Sequence, residues 1–210
     1  METSSELQAI ANASDSDLML ICAAVAERGV AFCQVLVAGH LAWVDSSLEL
    51  AWAAAAGEPV QDECFEALDE LEMEPQDGED DSSRPEFHVT QAVGLVGNAL
   101  AVSLRPSVSK AEMSINTLRS LLSMVDFKLS GEVPVIVRRG EGPPPPGQLV
   151  HMEIDAELAV LALLSRGAES STQGRARRLV ANRARDSARV FAEQLVPSIE
   201  VFAKLGGWEL

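Results

Sequence analysis

The side chains best suited to acid–base or metal chemistry are three histidines, His40, His88 and His151, in a chain of 210 residues. None falls in a HExxH, ExxH or HxH arrangement, the spacings that bring metal ligands onto one helix face. His151 and Asp155 are four residues apart and share a face, but a metal site needs three or four convergent ligands, so the pair reads as a surface contact or cap. No metal and no cofactor is expected. There is no GxSxG elbow, no GxxxxGK[ST] phosphate loop and no GxGxxG turn, so nucleophilic and nucleotide chemistry lack their usual motifs. Cys22, Cys33 and Cys64 are odd in number and embedded in apolar helical patterns, which suits small core residues rather than a disulfide framework or zinc knuckle.

Charge is the stronger signal. Between residues 58 and 86 there are 13 acidic side chains against Arg84 alone. Arg175, Arg177, Arg178, Arg183, Arg185 and Arg189 gather the opposite sign near the C-terminus. One reading makes both clusters a solvated face plus a mobile loop, with long-range pairing between the two patches left open. The sharper reading is that Glu63, Glu66, Asp69, Glu70, Glu72, Glu74, Asp77, Glu79, Asp80 and Asp81 dock a basic protein partner, because like-signed clusters steer association. An enzyme is the alternative, its site assembled between helices around His88, Gln91 and Asn98, whose spacing of 3 and 7 places them near one face. A structural homo-oligomer subunit is a third reading.

The chain carries 16 Lys+Arg against 32 Asp+Glu, a net charge of −16, which disfavours nucleic acid and anionic lipid as partners. Residues 1–105 hold 3 basic and 20 acidic side chains, net −17, and residues 106–210 hold 13 and 12, net +1. The acidic character belongs to the first half. A hydrophobic content of 47% lies in the globular range, and 210 residues suit one core. The apolar stretch 30–44 is interrupted by Gln34, Gly39 and His40, short of the ~20 apolar residues of a membrane span. Met1-Glu2-Thr3-Ser4-Ser5-Glu6 is acidic where a secretory signal or transit peptide is basic, so a cytoplasmic location is expected.

The elements that must position these residues are helical. Ser14-Asp15-Ser16 can cap a first helix bearing Leu18, Cys22 and Val25 on one face. Residues 30–38 are apolar nearly all round, as in an element buried on several sides. Ser46 and Glu49 have capping-box spacing for a helix running through Trp52 to Gly57, and Pro59 opens another with Cys64, Leu68 and Leu71 inward. An acidic loop follows over 74–86. Val89, Val93, Val96, Leu100 and Leu104 predict a helix over 87–104, its Gly94 and Gly97 meeting a neighbouring helix, and 109–129 reads as the next, with Met113 among its apolar residues. Residues 131–150 form a Pro/Gly-rich connection with room for one short edge strand in its first part. The last two helices cover 152–165, with Ile154, Leu158 and Leu161 inward, and 172–204, with Val180, Ala184, Ala188, Phe191, Leu195, Ile199 and Phe202 in one stripe and a kink at Pro197. No internal repeat is evident. Trp52 reads as core, and Trp208 as either tucked back or an exposed anchor.

The run Ala26-Glu27-Arg28, then Phe32-Cys33, Leu41-Ala42-Trp43-Val44-Asp45, Leu48 and Trp52 resembles the N-terminal pattern of the YjaG-like bacterial family of unknown function. The shared features are a Glu-Arg pair, an aromatic a few residues on, a small turn and a helix with a tryptophan. The likeness continues through 91–100 and 153–164, while Gly94 stands where an acidic residue is expected, and 131–147 and the arginine-rich helix are additions. The resemblance implies an all-helical fold and carries over no catalytic residue. The chain is therefore read as all-α, one domain over 1–210 with seven or eight helices and one long Pro-rich connection.

Overall fold

The computed structural model describes residues 8–37, 42–73, 81–132, 145–167 and 173–208. They form eight helices and no strand: α1 (Asp15–Gly29), α2 (Ala31–Leu36), α3 (Ala42–Ala55), α4 (Gln61–Met73), α5 (Pro85–Leu104), α6 (Val108–Leu129), α7 (Gln148–Gly167) and α8 (Gln173–Gly206). The all-α bundle expected from the periodicity is what forms.

Helix α1 begins where Ser14 accepts from the Asp17 amide and Asp17 reaches back to the Ser14 amide, a reciprocal capping box. From Leu20 to Gly29 every residue is buried. Its small side chains, Cys22, Ala23, Ala24 and Ala26, let α3, α5, α6 and α8 close around it. Gly29 is part of that closeness: a Cβ there would lie 2.6 Å from Leu95 Cδ1 of α5. Cys22, Cys33 and Cys64 are buried free thiols, and burial pushes the first two up to about 12.

Two segments, Asp15–Leu36 and Pro85–Leu104, are long and apolar enough to cross a bilayer, which the reading of 30–44 alone did not register. In the bundle they are central helices, with 83% and 56% of their most apolar windows buried. Helix α3 starts at Ala42, a turn before the expected Ser46 cap. Val44 is buried, Trp43 donates from Nε1 to Ala67 O at 3.3 Å, and Ser46 turns its hydroxyl back onto Trp43 O at 3.0 Å, as a serine inside a helix does. Its end is legible: Gly57 at φ 86° lets the Gly57 and Glu58 amides bond to Ala54 O and Ala53 O at 2.9 Å.

Helix α5 begins at Pro85, whose missing amide suits a first turn, so the acidic segment 74–86 gives up its last two residues to helix. Its buried face centres on His88, Ala92, Leu95, Val96, Ala99 and Leu100, leaving Val89 and Val93 half-buried. Gly97 meets α4 as expected, whereas Gly94 is exposed with nothing near it. On α6, Met113 lies outward.

The largest correction is α7. It starts at Gln148, within the segment read as connection, because Asp126 of α6 supplies its cap: both carboxylate oxygens accept from the Leu149 amide at 3.0 Å, and one also from Val150 at 3.1 Å. Its deepest residues are Leu149, Glu153, Glu157 and Val160, while Ile154, Leu158 and Leu161 are half-buried. Apolar periodicity places carboxylates outside, and here ion pairing overrides it. Helix α8 follows its predicted stripe from Ala184 through Phe202, with Val180 half-buried, and continues through Pro197. The expected edge strand falls within 133–144, outside the described residues.

Candidate functional site

Helix α4 is seated by its inner face. Cys64 is buried, Leu68 and Leu71 are half-buried, and Gly97 of α5 makes the fit, since a Cβ there would lie 2.6 Å from Leu71 Cδ2. The Trp43–Ala67 bond ties α4 to α3. Opposite these contacts, Asp62, Glu63, Glu66, Asp69 and Glu70 are all exposed, and none forms an ion pair with another described residue. Among them sits Phe65, 63% exposed. Asp62, Phe65, Glu66 and Asp69 follow i, i+3, i+4, i+7 spacing, so the ring stands on one face beside three carboxylates.

The remaining predicted site residues divide. Asp81 is exposed, accepts from the Ser83 amide at 2.9 Å and lies 3.7 Å from Arg84; the Ser83 hydrogen bonds hold its carboxyl below the usual range. The Glu72 side chain and Glu74, Asp77, Glu79 and Asp80 lie outside the described residues.

The arginines of α8 do not neutralise this face. Arg177 binds Asp17 at 2.7 Å and the carbonyls of Ala55 and Ser16. Arg185 grips Glu49 through two hydrogen bonds and lies 3.7 Å from Glu27; Arg189 reaches Glu27 at 3.1 Å and Glu49 at 3.6 Å. The Arg185 hydrogen bonds hold the Glu49 carboxyl below its ordinary range. Of the acidic run 58–86, Glu58 alone among described residues meets an α8 arginine, Arg178 at 3.7 Å.

Deeper in the bundle the charges close on themselves. Arg28, 2% exposed, donates to both oxygens of Glu153, 0% exposed, at 2.8 and 2.7 Å, and its guanidinium lies 5.8 Å from the Phe191 ring centroid. Glu27 accepts from Trp52 Nε1 at 2.6 Å, and Arg119 reaches Glu157 at 3.4 Å. Sequence patterning missed these partners, because a Glu at 153 or 157 on an amphipathic helix reads as outward.

The histidine-centred alternative does not assemble as one site. His88 is buried, Nε2 donating to Ser82 O at 3.1 Å, its ring packed among Phe32, Phe87, Phe202 and Trp208 at centroid distances of 5.1 to 6.0 Å. Burial lowers its pKa, so the ring is neutral. Asn98 faces α6, donating to Lys110 O at 2.9 Å and to Ser114. Gln91 lines a cleft of about 500 Å³ between α5 and α6 with Glu112, Met113, Thr117 and Met124, apart from His88 and Asn98. His40 lies outside the described residues. His151 is exposed on α7, 3.9 Å from Asp155, in the surface contact expected of it. No group of three or more His, Cys, Asp or Glu converges as metal ligands among the described residues.

Trp208 is the tucked alternative. The turn at Gly207, φ 73°, lays its ring 5.1 Å from Phe202 and lets Nε1 donate to Ser83 O at 3.1 Å. Comparison with known proteins finds no matching family model, curated protein or solved structure.

Proposed function

We propose that this protein is a non-enzymatic binding module that uses the outer face of α4 to engage a basic protein, as an inhibitor or immunity-type protein does. The observation that carries the reading is the contrast in pairing. Four of the α8 arginines, Arg177, Arg178, Arg185 and Arg189, are occupied by Asp17, Glu27, Glu49 and Glu58, while Glu63, Glu66, Asp69 and Glu70 around Phe65 have no ion-pair partner among the described residues. An exposed ring framed by carboxylates suits a partner with an apolar pocket rimmed by Arg or Lys: the aromatic supplies contact area and the charges supply rate and orientation. Segment 74–81 extends the same charge along the chain.

The reading places the protein in the cytoplasm, where reducing conditions suit three free thiols. Kinship with the YjaG-like family belongs to it as well. Two features of that resemblance, the Glu-Arg pair and the helix tryptophan, meet in the core through the Glu27–Trp52 bond.

The test is capture from the native host by the immobilised chain, run beside the variant E63Q/E66Q/D69N/E70Q. A basic protein retained stoichiometrically by the wild type and lost from the variant is the expected result. Equal retention by both, or none by either, rejects the reading.

A further inference from the structure

Ser82 and Ser83, where the acidic run meets α5, are held by two ring nitrogens from distant parts of the chain. His88 Nε2 donates to Ser82 O at 3.1 Å, and Trp208 Nε1 donates to Ser83 O at 3.1 Å. The bond to Ser82 O places the neutral imidazole's proton on Nε2, leaving Nδ1 bare, buried and without a hydrogen-bond partner among the described residues. Four rings surround the imidazole. Phe32, Phe87 and Phe202 are fixed within α2, α5 and α8, while Trp208 lies beyond the end of α8. Its place depends on two glycines: Gly207 turns the chain at φ 73°, and a Cβ on Gly206 would lie 2.8 Å from the indole Cε2. Backbone bonds from Gly207 N to Lys204 O and from Trp208 N to Ala203 O, at 3.1 and 3.0 Å, close the turn.

We propose that Trp208 is a pH-operated latch, closed over a neutral His88 with Ser82 and Ser83 tied down beside it, and opened when His88 takes up a proton. Protonation turns Nδ1 from a bare acceptor into a donor that faces no acceptor, and puts charge on a side chain with 0% exposure. The Nε2 bond survives that change, so the cover over the ring must yield for water to reach Nδ1. The indole is the part that moves at least cost, being held by one side-chain hydrogen bond and a glycine turn, whereas moving a phenylalanine unpacks a helix. Within a turn of the packing residues, Asp81 and Arg84 lie 3.7 Å apart, Glu86 and Lys204 are exposed, Glu200 is half-buried, and the buried Cys33 thiol is pushed up to about 12. Among these side-chain types the imidazole is the one that titrates between about pH 5 and 8. Burial holds the ring below 6.5 against the pull of the Ser82 bond. The closed state is therefore complete above about pH 6.5 and loses ground by about tenfold per pH unit as the pH falls toward the closed-state value.

Fluorine NMR of the full chain labelled with 5-fluorotryptophan reads the latch, since Trp43, Trp52 and Trp208 give three resonances and W208F assigns the third. Between pH 8 and pH 5 the Trp208 resonance should move toward that of free 5-fluorotryptophan while the other two hold their positions. In H88F it should stay in place over the whole range. G207V, which strains the turn, should give the released position already at pH 8. The reciprocal measurement is carbon-13 NMR of His88: in W208A, with the ring open to water, its titration midpoint should rise toward 6.5, above that of the wild type. A Trp208 resonance unmoved down to pH 5, movement of all three together, the same movement in H88F, or equal His88 midpoints in wild type and W208A overturns the proposal.

Discussion

Glu153 and Glu66 are the same residue type on two amphipathic helices, and the bundle treats them in opposite ways. Glu153 on α7 is fully buried and doubly bonded to a buried Arg28, whereas Glu66 on α4 is exposed, without an ion-pair partner among the described residues, and next to an exposed phenylalanine. The difference is set by what faces each helix. Helix α7 turns toward α1 and α8, the helices that carry Arg28 and Phe191, while on the inner face of α4 Leu68 and Leu71 meet Gly97 of α5 and Ala67 O accepts from Trp43 of α3. Charge in the first place holds the fold together. Charge in the second faces solvent and, in the proposed reading, a partner.

The comparison breaks most visibly at Arg28. E153A strands a buried guanidinium and should cost about 3–5 kcal/mol in urea unfolding, enough to threaten folding of an ordinary domain. The double variant R28M/E153M sharpens the point, since an apolar pair of similar volume should recover most of that loss. D126A sits between the two regimes. It removes a carboxylate that caps α7 from another helix and should cost about 1–2 kcal/mol by the same measurement. E63Q/E66Q/D69N/E70Q belongs to the other regime and should leave stability within about 0.5 kcal/mol of wild type.

How much of this could be read from residues alone follows the same division. The caps at Ser14 and Gly57 and the stripe of α8 are local signals, carried by a few neighbouring residues, and they hold. The exposed face of α4 was legible because its acidic residues alternate with Cys64, Leu68 and Leu71. The Arg28–Glu153 pair, by contrast, joins residues 125 apart, and no window of periodicity contains both. The Ser46–Glu49 spacing misled for the complementary reason: burial of Val44 and the Trp43 bond to α4 extended the helix upstream of a locally plausible cap. Phe65 escaped notice because its neighbours' charge dominated the segment.

The smallest effect concerns His88. Burial among aromatic rings holds its pKa below the ordinary 6.5, so below that pH the unfolded chain binds a proton the folded chain refuses. Stability from this group is therefore complete above about pH 6.5 and falls as pH drops toward the folded-state pKa. Thermal melts of wild type and H88F across pH 5 to 8 should converge in slope above about pH 6.5 and diverge below it, with the wild type losing stability faster.

The division between internal and outward charge is tested most directly by the association rate of a captured basic partner with wild type and E63Q/E66Q/D69N/E70Q at rising ionic strength. The account predicts a fast wild-type rate that falls steeply with salt and a slow, nearly salt-independent rate for the variant. Equal rates with equal salt dependence would contradict it.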